Sequence, residues 1–331
     1  MNFNLNIALT VYKIDLIEID NYLTIFKKIN NKINEEYQDR IDNLISYSII
    51  SDNPELEKEE NFKKILNEFK KIKNLKYYKA EKNLKRINQV IEKINIINAK
   101  FIKMCDPDDL ILIDETIKIA LEIDNLDPRS YIIHAYRQIN VIQKIIFENL
   151  ENVSFKKFFK PVSFNPNTIY PKYFLKKLKK ENWSFNHLQW SDDVLAIKAN
   201  EYDLIYTYIP NMAPYLNNPG AGVSISKQKH SNLDYYYASC EFIKFLQKST
   251  KNLNNKIITD KPNKFFIKNV YNDLFFYDKN RFNKSFKFFY MLFLIKKINK
   301  NYIAYSNNKN KKHFFWFKFG LLLSLLFKLK F

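Results

Sequence analysis

Lys100–Asp114 reads KFIKMCDPDDLILID. An apolar run, Phe101 to Cys105, ends in Asp106, Asp108 and Asp109, and a second apolar run follows at once. Five residues of this kind bounded by polar ones fit a buried strand. Three carboxylates at the end of a core strand have two readings: they cap the helix that follows, or they hold a cation. The stretch alone leaves both open, and the choice depends on what flanks it.

Upstream, strand-like and helix-like segments alternate. Asn6–Tyr12 (NIALTVY) is short, apolar and β-branched, and residues 20–35 repeat apolar positions at helical spacing. Leu44–Ile50 is expected as a second strand, ending at Ser51-Asp52-Asn53-Pro54. Glu57–Lys73 is expected as a charged amphipathic helix, Leu75–Tyr78 as a third strand, and Ile87–Ile97 as a helix. Phe101–Cys105 is then the fourth strand, and Ile111–Ile123 the helix after it. Strands alternating with helices imply a parallel sheet with crossover helices. The fold class is therefore α/β. In open sheets of this type ligands sit beyond the carboxyl ends of the strands, where Lys13, Asp52 and Asp106-Pro107-Asp108-Asp109 are all expected.

Downstream the pattern loosens. Residues 126–190 are irregular, and three prolines between 161 and 171 argue for loops. His187–Asn200 contains Ser191-Asp192-Asp193-Val194, two acids before an apolar run with helical spacing. Tyr206–Tyr215 (YTYIPNMAPY) reads as extended, and Gly220 and Gly222 mark a tight backbone.

Composition narrows the chemistry. The 331 residues are 46% hydrophobic, enough for a substantial core. Only three glycines are present, and neither GxGxxG nor GxxxxGK[ST] occurs, so no glycine-rich phosphate loop is available. Cys105 and Cys240 make neither a disulfide framework nor a zinc site, and the four histidines show no ligand spacing. The N-terminus lacks the pattern of a signal peptide, and a reducing, cytoplasmic setting is expected. The net charge of +19 is concentrated late: thirteen Lys or Arg and no acid follow Asp278, leaving 41 basic against 35 acidic residues before it. That body is only mildly basic, which argues against a nucleic-acid partner.

In order and content these segments resemble a family 2 glycosyltransferase with the GT-A fold. Leu9-Thr10-Val11-Tyr12-Lys13 is similar to the end of that family's first strand. Ser51-Asp52-Asn53 matches the end of the second, with Asn53 at a commonly acidic position. Asn83-Leu84-Lys85-Arg86-Ile87-Asn88 matches an Asn-x-Gly segment, with Lys85 where the family has Gly. Phe101–Asp109 matches a strand followed by Asp-x-Asp-Asp, and Ser191-Asp192-Asp193-Val194 an acid pair opening a helix. The match spans roughly residues 5–210.

The resemblance implies a GT-A domain over 1–225, a Rossmann-like, mostly parallel sheet flanked by helices. Its nucleotide half covers about 1–125 and its acceptor half about 126–225. A helical, basic and aromatic extension follows over 226–331. It implies donor-binding residues Thr10, Val11, Tyr12, Asp52, Asn83, Arg86, Asn88, Asp106 and Asp108, with Asp52 on a uracil ring. Asp108 and Asp109 would hold Mn²⁺ or Mg²⁺, hard ions that favour carboxylate oxygens and stabilise a diphosphate leaving group. Asp193, or Asp192, would take the proton of the acceptor hydroxyl. One base and no enzyme nucleophile imply a single displacement with inversion. For Asp192-Asp193 the alternative is a helix N-terminus, where acids are common.

The expected partners are a nucleotide-sugar donor, a glycan or lipid-linked acceptor, and a membrane surface. The last rests on residues 282–298 and 313–331, which are apolar, aromatic and flanked by lysines. The longest uncharged run there, Phe319–Phe327, is too short to span a bilayer, which takes about 20 residues. Peripheral attachment to the inner face of the cell membrane is the expectation. Two other readings compete: a nucleotidyltransferase, which lacks its glycine-rich loop here, and a basic RNA- or ribosome-binding protein.

Overall fold

A computed structural model gives the fold. It describes residues 2–11, 16–84, 86–107, 109–135, 137–138, 167–183, 204–209 and 211–217, with isolated positions from 194 to 202 and Leu292. The chain divides into two compact units. One is made of Met1–Asn152, Ser163–Asp192 and Tyr202–Gln228, the other of Val153–Val162, Asp193–Glu201 and Lys229–Phe331. All the elements named below belong to the first.

The order of elements begins β1 (Phe3–Val11), α1 (Leu16–Glu36), β2 (Ile45–Ser51), α2 (Glu60–Phe69), β3 (Leu75–Tyr78), α3 (Arg86–Lys93) and β4 (Ala99–Cys105). It continues with β5 (Leu110–Ile111), α4 (Ile113–Glu122), β6 (Ser130–His134), β7 (Arg137–Gln138), β8 (Thr168–Pro171), α5 (Lys172–Lys180), β9 (Ile205–Ile209) and β10 (Tyr215–Asn217). Seven strands form one sheet in the order β3-β2-β1-β4-β8-β6-β9. The pairs β1–β2, β1–β4, β2–β3 and β6–β9 are parallel, whereas β8 runs antiparallel to both β4 and β6. The mostly parallel α/β sheet expected from the sequence is thus the one found.

Helices cover both faces, which explains why the central strands read as unbroken apolar runs. Every residue of β2 and β6 is buried. One face of the sheet carries Leu5, Ile7, Leu9, Ile45, Tyr47, Ile49 and Phe101. Against it pack Tyr22, Phe26, Ile29 and Ile33, spaced to lie on one side of α1, with Phe62 and Phe69 of α2 and Ile117 and Ala120 of α4. α3 and α5 lie together over the other face, burying Val90, Phe174, Leu175 and Leu178 completely.

Several local expectations change. The segment Glu57–Lys73 is a short 3-10 turn at Leu56–Lys58 followed by α2, which stops at Phe69. The chain must reverse into β3 within a few residues, and Asn74 does so at φ 66°, a left-handed conformation that Asn tolerates better than most residues. Ile87–Ile97 is helical only to Lys93. Ile111 belongs to a strand, since Leu110–Ile111 pairs with β10. Within 126–190 the prolines concealed regular structure. Pro171 closes β8 opposite Phe101 and, with φ −67°, starts α5. Proline suits a strand end and a helix start because neither position needs its missing N–H.

Candidate functional site

The carboxyl ends of β2, β1 and β4 are adjacent, with β1 in the middle. Neighbouring strands lie about 4.8 Å apart, so the ends of β2 and β4 are roughly 10 Å apart across β1. Asp52 follows β2 and Asp106 follows β4. Thr10 and Val11, the last two residues of β1, are buried between them at 6% and 0% exposure.

Asp52 is held tightly. Its backbone N–H donates to the Val11 carbonyl at 2.7 Å, extending the β1–β2 ladder by one residue. Its Oδ1 accepts the Leu84 N–H at 2.9 Å and the Gln89 amide at 3.0 Å. Next to it, Ser51 and Asn53 form a side-chain-supported turn. The Asn53 N–H donates to Ser51 Oγ at 3.2 Å, and the Glu55 N–H donates to Asn53 Oδ1 at 3.0 Å. Leu84, within the segment Asn83–Asn88, therefore comes against Asp52. Within it the roles are specific: Asn88 Nδ2 donates to the Leu84 carbonyl at 2.8 Å, steadying the turn into α3, and Asn83 is exposed. Arg86 is the first residue of α3.

The acidic turn is pinned from two sides. It closes on itself through Asp109 N–H to Asp106 C=O, 3.2 Å. The Tyr22 hydroxyl, on α1, lies 2.8 Å from the carbonyls of both Asp106 and Asp109. The Tyr215 hydroxyl, on β10, accepts the Asp106 N–H at 3.1 Å and donates to Asp109 Oδ2. β10 is brought there by its pairing with β5 and by Leu112 N–H to the Pro214 carbonyl, 2.9 Å. Glu115 reinforces the join by accepting the Ala213 N–H. Burial and the negative charges of Asp109 and Asp106 raise the Tyr215 phenol well above its usual range, so it remains a donor.

Asp109 is 3% exposed, and its Oδ2 accepts a hydrogen bond from the Tyr215 hydroxyl, which orders the turn. Asp106 is half-buried at the strand end. Asp108, between them, lies outside the described residues, as do Tyr12, Lys85, Asp192, Asp193 and the apolar stretches of the C-terminal tail apart from Leu292. Among the described residues no group of three His, Cys, Asp or Glu is placed to hold a metal. A carboxylate pair that leaves most positions to phosphate and water is the donor set that suits Mg²⁺ or Mn²⁺.

Sequence reasoning missed four residues here. Gln89, Tyr22 and Tyr215 act through contacts that only the tertiary fold makes. Lys103 stands mid-strand in β4 at 4% exposure, its Nζ donating to the Thr168 carbonyl at 3.2 Å and lying 4.5 Å from the Tyr215 ring centre. A lysine inside an apolar strand is a signal in itself, because burying its charge is costly unless it is paired. Nearby on β6, His134 is fully buried and gives Nδ1–H to the Ala135 carbonyl at 2.6 Å. Burial, with the Lys103 charge, holds its pKa well below the usual histidine range, so it is neutral.

A mostly parallel sheet with an antiparallel β8, helices on both faces, and acidic residues at adjacent carboxyl ends define the GT-A type of α/β fold. Solved structures of S. aureus TarS share it. Residues 1–349 of TarS in complex with UDP-GlcNAc match with a TM-score of 0.61 at 14% identity, over 96% of this chain and 87% of that one. The same fragment in complex with UDP matches at 0.54 and 16% identity, over 84% and 74%. A longer TarS structure matches at 0.59 and 13% identity, over 96% of this chain and 53% of that one. Identities this low show the shared fold. No family model and no curated protein sequence matches the chain.

Proposed function

We propose that this chain is an inverting, metal-dependent glycosyltransferase that moves a sugar from a nucleoside diphosphate donor, a UDP-sugar, to a hydroxyl of a glycan or lipid-linked acceptor. The observation that carries the reading is the pairing of two acidic strand ends, Asp52 and Asp106–Asp109, on either side of β1. Their separation suits a ligand with a base at one end and a diphosphate at the other. The fold supports it as well, being shared with a protein solved with UDP-GlcNAc and with UDP.

Asp52 addresses the base, with Thr10 to Tyr12 lining its pocket. Asp108 and Asp109 would hold the cation, with Asp106 in support, and the two tyrosines fix the turn that presents them. When bound, a divalent ion offsets the negative charge that grows on the diphosphate as the sugar leaves. Asp193 takes the acceptor proton, with Asp192 beside it. Buried Tyr22 and Tyr215 lie against the turn, which lowers the local dielectric and strengthens charge–charge interactions there. The basic, aromatic tail attaches the enzyme peripherally to an anionic membrane surface.

The test is nucleoside diphosphate release from a panel of nucleotide sugars, with Mn²⁺, Mg²⁺ or EDTA. Metal-dependent release from a UDP-sugar, lost in Asp108→Ala and in Asp193→Ala, is expected. No response to any nucleotide sugar sinks the proposal. Truncation near residue 278 tests the tail: the shortened chain should leave the membrane fraction, and equal retention would refute attachment.

A further inference from the structure

We infer that Gln89 is a specificity-determining positioning residue, which sets the nucleobase preference by fixing the Asp52 carboxylate as a hydrogen-bond acceptor. The inference rests on the nucleotide-binding function proposed above.

Gln89 lies on α3 at 1% exposure, a position where an apolar side chain would be the ordinary choice. Burying a primary amide is unfavourable unless its hydrogen bonds are made. Its nitrogen makes two: Nε2 to Asp52 Oδ1 at 3.0 Å, and Nε2 to the Lys82 carbonyl at 2.5 Å. Both partners are oxygen acceptors, so the atom between them is the NH₂ group, and the amide orientation follows from chemistry. One nitrogen thus ties the loop before α3 to the carboxylate at the end of β2.

The Leu84 N–H adds a second donor to the same Oδ1, at 2.9 Å. With two N–H groups converging on it, the Asp52 carboxylate acts as an acceptor in a fixed rotamer. A carboxylate so held rewards a base that presents an N–H on the facing edge. Uracil does so at N3; cytosine presents a lone pair at N3 and is disfavoured. A site built to pair one hydrogen-bonding group discriminates strongly against a ligand that leaves it unpaired. Gln89 contributes by orientation, since Asp52 without its amide partner can rotate.

The experiment is calorimetric titration of the full chain with UDP and with CDP, in Mn²⁺, for wild type, Gln89→Met, Asp52→Asn and the double variant, with thermal melts alongside. Gln89→Glu, an isostere that replaces the donor with an acceptor, is measured in parallel in case Gln89→Met folds poorly. A hydrogen bond to a charged group is worth enough to change affinity about tenfold or more. Gln89→Met and Gln89→Glu should therefore weaken UDP about tenfold and CDP by less than about threefold, collapsing the preference. In the Asp52→Asn background the Gln89 substitution should have no further effect on that preference. Equal losses for UDP and CDP, or the same loss with and without Asp52, would show a merely structural role and overturn the inference. Unchanged UDP affinity would overturn it too. If the wild-type chain binds no diphosphate at all, the function fails with it, and that result is visible before any variant is made.

Discussion

Tyr215→Phe removes one oxygen from the least exposed part of the site. Two interactions go with it: the donation to Asp109 Oδ2, and the acceptance of the Asp106 N–H at 3.1 Å. The first is to a carboxylate on a residue only 3% exposed. A hydrogen bond to a charged group contributes about 1.5–3 kcal/mol, and leaving a buried donor unsatisfied costs about 1–3 kcal/mol. Some of this is regained by relaxation, so a loss of about 2–4 kcal/mol is expected. For a domain of this size that lowers Tm by roughly 5–10 °C. Tyr22→Phe is the internal comparison. Its hydroxyl meets the backbone carbonyls of Asp106 and Asp109 at 2.8 Å, uncharged partners, so about 1 kcal/mol is expected. Differential scanning calorimetry of both variants measures the two losses. If Tyr22→Phe is as damaging as Tyr215→Phe, or Tyr215→Phe lowers Tm by less than about 1 °C, the charge-assisted anchoring of the acidic turn is wrong.

Three further outcomes follow from the same geometry. His134 is held neutral by burial and by the Lys103 charge. Because its folded pKa is lowered, the unfolded chain takes up a proton first, so stability is full above about pH 6.5 and falls as pH drops, by up to about 1.4 kcal/mol per unit; urea midpoints for His134→Gln should lose that slope between pH 6.5 and 5, and an unchanged slope would refute it. The Tyr215 phenol is raised, so its stabilisation is present below about pH 10 and lost above it; alkaline melts of Tyr215→Phe should decline less steeply than those of wild type. Asn74, at φ 66° with its Nδ2 donating to the Ile41 carbonyl at 2.7 Å, should lose about 1 kcal/mol as Gly, from that hydrogen bond, and about 1–2 kcal/mol more as Val, whose branched side chain suits that conformation poorly, and equal Tm values for the two variants would contradict this.

The central strands were readable because a parallel strand buried on both faces is apolar throughout. Leu75–Tyr78 was placed to the residue, and β1, β2 and β4 to within a few. β6 was missed because five residues between Arg129 and Ala135 carry too short a pattern, and β8 because Pro161, Pro166 and Pro171 suggested loop. At the site, acids at strand ends were visible because the α/β pattern says where strand ends go. What orders them was not. Asn88 stood out by its place in a motif, yet Gln89, one residue on, reaches Asp52. Nothing local in Tyr22 or Tyr215 distinguishes them from the chain's other tyrosines. Their roles depend on α1 and β10 meeting the same turn, which no local pattern encodes.

The acidic turn also has a history within each folding event. β1, β2, β3 and β4 all lie within the first 105 residues, and their parallel pairing needs nothing later. Tyr215 reaches Asp106 across 109 residues of chain. Closing so long a loop is entropically costly and slow relative to forming nearer contacts. During synthesis the sheet's first half can therefore be complete before Tyr215 reaches the turn. The acidic corner is finished only when β10 has been made and docked, so a chain arrested before residue 215 should hold its strands and leave the turn without the Tyr215 contacts.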